Sequence, residues 1–265
     1  MYDVLDDLKK LYSDRGISPG PTYLQSMEQA LGGGALAYGT PAMVGITDTV
    51  LSSRRMIAFN LVQNSIDEAK GAARIQLIAD RYADPALAKR MKKHVGEELK
   101  HSRQFKELVP ATGYDVLEEQ ADEQAVEEVL DFDDELKAFM CRVHSIEIRS
   151  WTVLRMYQAA LARREFPELS DEALPVLDDI MQDEINHVLY SGETIDEWMR
   201  DDPSLQATLD ECFAHTNRET WQDMSTMMAW LAQHFPDVLR DDTTDIEIPS
   251  SRFVVGDLGP PVTLT

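Results

Sequence analysis

Cysteine is almost missing from this chain. Its 265 residues include two, Cys141 and Cys212, and no Cys-x-x-Cys. That excludes a disulfide framework, a zinc ribbon and a rubredoxin-like iron site. Basic charge is also scarce, with 25 Lys and Arg against 48 Asp and Glu, a net charge of −23. Nucleic acid is bound through a basic face, so none is expected as a partner. The same charge argues against an anionic membrane surface. No apolar run reaches the roughly 18 residues that suggest a bilayer span. The first residues, Met1-Tyr2-Asp3-Val4-Leu5-Asp6-Asp7, are acidic and lack a basic-then-apolar leader pattern. A cytoplasmic location is therefore expected. The Gly-rich stretch 32–45 has no Gly-Lys-Ser/Thr after it and no strand before it, so it is not a phosphate loop.

What the chain does have is a core-forming content of 43% hydrophobic residues and one repeated pattern. The pattern is a glutamate followed by Glu-x-x-His: Glu68 with Glu98-Leu99-Lys100-His101, then Glu147 with Glu184-Ile185-Asn186-His187. Residues three apart share a helix face, so each Glu-x-x-His aims a carboxylate and an imidazole the same way. Position 83, midway between 68 and 98, falls in the turn-like Ala83-Asp84-Pro85; the midpoint of 147 and 184 falls in Arg164-Glu165-Phe166-Pro167-Glu168. If each pair flanks a helical hairpin, its partners lie at equal depth, roughly 20 Å from the tip at about 1.5 Å per residue. Two such hairpins place four carboxylates and two imidazoles in one layer. Composition alone yields Glu-x-x-His about 0.5 times in such a chain. A ring of buried ion pairs could use the same residues, but four buried carboxylates against two imidazoles are costly without a cation.

In order, 2–13 reads as a short acidic helix. A second starts near Thr22 and ends at Gly32. The 32–45 stretch is either an apolar linker packed on the rest or a lid beside a pocket. Long helices are expected over 49–82, 85–108, 134–163 and 171–199, with Asp84 and then Ser170 or Asp171 as caps. A fifth is expected from Asp202-Pro203 to about His234. Residues 109–133 form a long acidic connection, read as a solvated crossover. The segments are thus a cover (1–48), a four-helix bundle (49–199), an additional C-terminal helix (200–240) and an extended tail (241–265). Two histidines stay open: His94 and His144 are each one turn from a motif glutamate, as extra metal ligands or as hydrogen-bonded core histidines. Tyr157, Trp151 and Tyr190 are core packing, or gate access or carry electrons.

The motifs over about residues 49–199 resemble those of the ferritin-like di-iron carboxylate proteins, with two hairpins joined by a long crossover. The resemblance implies that Glu68 and His101 bind one metal, Glu147 and His187 the other, with Glu98 and Glu184 bridging. Asp183-Glu184-x-x-His187 is similar to the form in the oxygenase branch, where Asp183 would hydrogen-bond His101 and set its tautomer. Asn186 and Lys100 depart from the arginine common there. Carboxylate-rich ligation suits two iron ions, or manganese, or a mixed pair. The function implied is a non-haem di-iron oxygenase or oxidase. Dioxygen, a small organic substrate in an apolar pocket and an external electron donor would be its partners, in a homodimer. Alternatives are a ferroxidase or iron-storage bundle, a manganese-catalase-like peroxide scavenger, and a metal-free binding module.

Overall fold

The computed structural model describes residues 2–33, 36–82, 84–114, 135–163, 165–241 and 248. Among these residues there are eight α-helices and no strand. They are α1 (Val4–Asp14), α2 (Pro21–Leu31), α3 (Pro41–Val50), α4 (Arg54–Tyr82), α5 (Pro85–Leu108), α6 (Leu136–Leu161), α7 (Pro167–Asp201) and α8 (Leu205–Leu239).

The α4–α5 turn forms as its residues dictate. The Asp84 carboxylate accepts hydrogen bonds from the backbone N–H of Ala86 (2.8 Å) and Leu87 (3.0 Å), and Pro85 occupies the first helical position. The two helices then pack along each other, as do α6 and α7. Contacts of α5 with α7 and of α4 with α6 join the hairpins, so four long helices enclose one interior. A single 3-10 turn at Val109–Thr112 follows α5 and ends at Gly113, whose φ of +85° favours glycine. The acidic connection beyond Tyr114 and the expected tail lie outside the described residues, apart from residues 135, 241 and 248.

Five helices differ from expectation. Residues 41–50 form helix α3 instead of linker. Thr40 accepts from the Met43 N–H and Pro41 opens the helix, a start signal hidden among small residues. The first long helix consequently begins at Arg54, not at 49. The fourth begins at Pro167, because proline suits a first turn. Ser170 lies inside it and donates to the Leu161 carbonyl instead of capping. Gly20, not Thr22, precedes α2. The fifth helix continues past His234 through Pro236 to Leu239.

Helix α6 is buried nearly all round, Arg142, Ser145 and Arg149 included. A helix at the surface of a bundle buries only one stripe. The reason for the difference is α8, which packs along its outer side, while α3 also contacts it. Helix α2 bears on α7 and α8, and α1 on α2. The cover is therefore built on the second hairpin.

Candidate metal centre

Four helices each bring acidic or imidazole groups to one buried cluster. Glu68 comes from α4; His94, Glu98 and His101 come from one face of α5. Glu147 comes from α6, and Glu184 and His187 from α7. All seven are at most 5% exposed. Two overlapping groups have donor atoms within 4.8 Å of one another and can hold a metal ion. One group is Glu68, Glu98, His101 and Glu184; the other is His94, Glu98, Glu147 and His187.

Glu98 belongs to both because its two oxygens face opposite ways. Oε1 lies 2.7 Å from His94 Nε2 and 3.1 Å from His187 Nδ1, whereas Oε2 faces His101 Nδ1 at 3.9 Å. Glu184 Oε1 also stands between two imidazoles, 3.3 Å from His101 Nδ1 and 3.8 Å from His187 Nδ1. Glu147 offers Oε1 to His94 Nε2 at 3.5 Å and Oε2 to His187 Nδ1 at 3.7 Å.

Behind this ring stand two further acids. Asp183 Oδ2 is 3.3 Å from His101 Nε2, and Glu97 Oε2 is 3.2 Å from His187 Nε2. Each acid also meets a lysine, Lys100 for Asp183 and Lys93 for Glu97. A carboxylate on Nε2 keeps the proton there and leaves the Nδ1 lone pair free, the usual support for an imidazole ligand. Asp183 thus sits where the sequence anticipated. Glu97 is not among the motif residues named from the sequence, yet it has a signal there: Glu97-Glu98-x-x-His101 repeats the form of Asp183-Glu184-x-x-His187.

The buried polar atoms confirm that the interior suits a cation. Both oxygens of Glu68, both of Glu184, and Nδ1 of His101 and of His187 are buried without a well-aligned hydrogen bond, although the two Nδ1 atoms face carboxylate oxygens at 3.1–3.9 Å. Such atoms each cost on the order of 1–3 kcal/mol when unmatched. An ion among them would satisfy the whole set at once.

Without an ion the cluster neutralises itself. Burial, then the charge of Glu98, pushes the Glu68 carboxyl well above its ordinary range. Burial and then the charge of Glu184 do the same to Glu147. Burial raises Glu98 and Glu184 as well, but close partners outweigh it. For Glu98 these are Glu68, His187 and His94, and they hold it low; His101 and His187 hold Glu184 down at about 2. Burial opposes charging of His101, yet Asp183 and Glu184 lift it to about 9. His187 is likewise raised against burial by Glu147, Glu184, Glu97 and Glu98. Burial and the neighbouring His187 lower His94, which stays neutral. Imidazoles that favour their charged form thus face carboxylates that favour theirs.

The two open histidines separate. His94 lies in one metal-capable group. Its ring stacks on His187 with centroids 3.6 Å apart, and its Nδ1 meets the Tyr190 hydroxyl at 2.7 Å. His144 lies in neither group. Its Nε2 is 2.6 Å from the Tyr23 hydroxyl and its Nδ1 2.8 Å from Ser191 Oγ. Burial lowers it to about 3, so it is a neutral core histidine. Asp67, next to Glu68, is buried but turned away, accepting from Gln63 Nε2 at 3.0 Å.

No protein-family model, curated protein or solved structure matches this chain. No described helix is long and apolar enough to cross a membrane.

Proposed function

We propose that this chain is a ferritin-like dinuclear carboxylate protein of the oxygen-activating kind, an oxygenase or oxidase. The observation that carries the reading is the meeting of two lone glutamates and two acidic-Glu-x-x-His runs, from four helices, around unpartnered buried donor atoms. Glu68 and His101 would hold one iron and Glu147 and His187 the other. Glu98 and Glu184, each lying between imidazoles from both hairpins, would bridge. When bound, the metal pair supplies electrons to dioxygen and serves as a Lewis acid.

The protein's part is positioning and exclusion. Asp183 and Glu97 hold the Nε2 protons of His101 and His187 and present Nδ1 inward. The enclosing helices keep water from the pair. An apolar cavity between the hairpins is lined by Leu51, Ile57, Leu61, Leu108, Leu161 and Leu169, with Asn60 and Tyr157 as its polar groups. Asn60 precedes Glu68 by eight residues of α4, about 12 Å along the axis. At about 20 Å³ that cavity admits a guest no larger than water or dioxygen. Turnover would need an external electron donor, and a homodimer is the assembly we assign.

Anaerobic loading with ferrous iron, followed by dioxygen, tests the reading. Rapid dioxygen uptake with about two irons retained per chain is expected for two ligand groups. Iron accumulating far beyond that ratio would mean storage. Vigorous gas release from peroxide by the manganese form alone would mean a catalase. A chain that takes up no metal would be a binding module.

A further inference from the structure

The six motif residues are arranged symmetrically over the two hairpins, but the cluster contains a seventh. His94 precedes Glu98 by one turn of α5; the equivalent position before Glu184 on α7 is Ile180. His94 Nε2 points into the cluster, 2.7 Å from Glu98 Oε1 and 3.5 Å from Glu147 Oε1. Its other nitrogen is held by the Tyr190 hydroxyl at 2.7 Å, so ring and orientation are set from behind. The stacked His187 ring blocks rotation on one side.

We propose that His94 is a metal ligand and makes the two metal positions inequivalent. The proposal rests on the dinuclear reading above. One position takes two imidazoles, His94 and His187, together with Glu147 and Glu98. The other takes one imidazole, His101, with Glu68 and Glu98, while Glu184, grouped with this position, also faces His187 and would bridge to the first. With Nε2 on the ion, Nδ1–H donates to the Tyr190 oxygen. An added neutral nitrogen ligand raises affinity without adding charge, and imidazole favours the later divalent ions over manganese. The His94–His187 position therefore fills first, and from a mixture it selects cobalt while manganese goes to the carboxylate-rich position.

The test uses cobalt(II) and manganese(II) on the metal-free whole chain. Crystals of the wild-type protein given less than one equivalent of cobalt should show anomalous scattering at the His94–His187 position. A cobalt–manganese mixture should separate the two ions between the positions. Calorimetric titration of wild type should resolve two cobalt events, and His94→Gln should weaken the tighter one by at least about tenfold while leaving two ions bound. Equal cobalt occupancy at both positions in wild type, or an unchanged His94→Gln titration, overturns the inference and leaves the dinuclear reading standing. A wild-type chain that binds one cobalt or none overturns that reading as well. The occupancy measurement needs no variant, so it decides the matter even if His94→Gln fails to fold.

Discussion

The α4–α5 and α6–α7 hairpins each contribute a lone glutamate and an acidic-Glu-x-x-His run, yet they sit in different surroundings. The first has Ser65 one turn before Glu68, bonded through its carbonyl to the Ser102 hydroxyl at 2.7 Å. The second has His144 at that place before Glu147, tied to Tyr23 and Ser191. Helices α1, α2, α3 and α8 pack around the second hairpin and one another. Only the first hairpin adds a histidine, His94, to the cluster. A repeated pattern of candidate ligands thus coexists with unlike outer layers.

Removing a shared group should do the most damage. Glu98→Ala takes a carboxylate from both groups at once, and loss of at least one of two ions per chain is expected by metal analysis. Full occupancy would refute its shared role. Glu184→Ala should resemble it if the hairpins are equivalent at their centre.

Proton linkage is next. The metal-free surroundings raise Glu68, Glu147, His101 and His187, so they hold protons more tightly there and metal loading should release protons. Metal affinity should rise with pH, and calorimetry in buffers of different ionisation heat measures the release. The folding consequence has the opposite sign. His101 is raised to about 9, so its stabilising contribution is full below its ordinary value near 6.5 and fades as pH climbs through 9. Over that window the melting temperature of the metal-free chain should fall.

Smaller effects compare the supports. Asp183→Asn and Glu97→Gln should each weaken metal binding by about 10–100-fold, to similar extents if the acids behind His101 and His187 are equivalent. A strong effect at one and none at the other would break the symmetry. Gly192→Ala probes only the covered hairpin. A Cβ there would stand 2.0 Å from the Tyr12 hydroxyl, 2.9 Å from the Tyr23 hydroxyl and 3.0 Å from His144 Cε1. A loss of about 1–3 kcal/mol in urea unfolding is expected, with metal stoichiometry kept. Asp84→Ala, at the tip of the other hairpin, should cost only about 1 kcal/mol.

The helices that bear the candidate ligands were legible because 3.6-residue periodicity assigns a residue to a face, and depth can be counted from a turn. Glu68, Glu98, His101, Glu147, Glu184 and His187 do converge. The missed helix α3 shows the limit of the same reasoning. Its buried Met43, Ile46, Thr47 and Val50 fall at helical spacing, but Gly45 and the Gly-rich run before it mask so short a stripe. Glu97 was readable as half of a repeated motif, but only the far hairpin supplies its partner His187.

Sequence by itself determined which side chains share a helix face and that two like sets exist. It could not distinguish His94 from His144, since each lies one turn from a motif glutamate. Tertiary structure decided that, because a helix face has no meaning until another helix stands opposite. His94 meets Glu147 and His187 across the interior, whereas Tyr23 and Ser191 engage both nitrogens of His144. The same packing chose Nδ1 of His101 and His187 for the centre, by setting Asp183 and Glu97 against their Nε2 atoms.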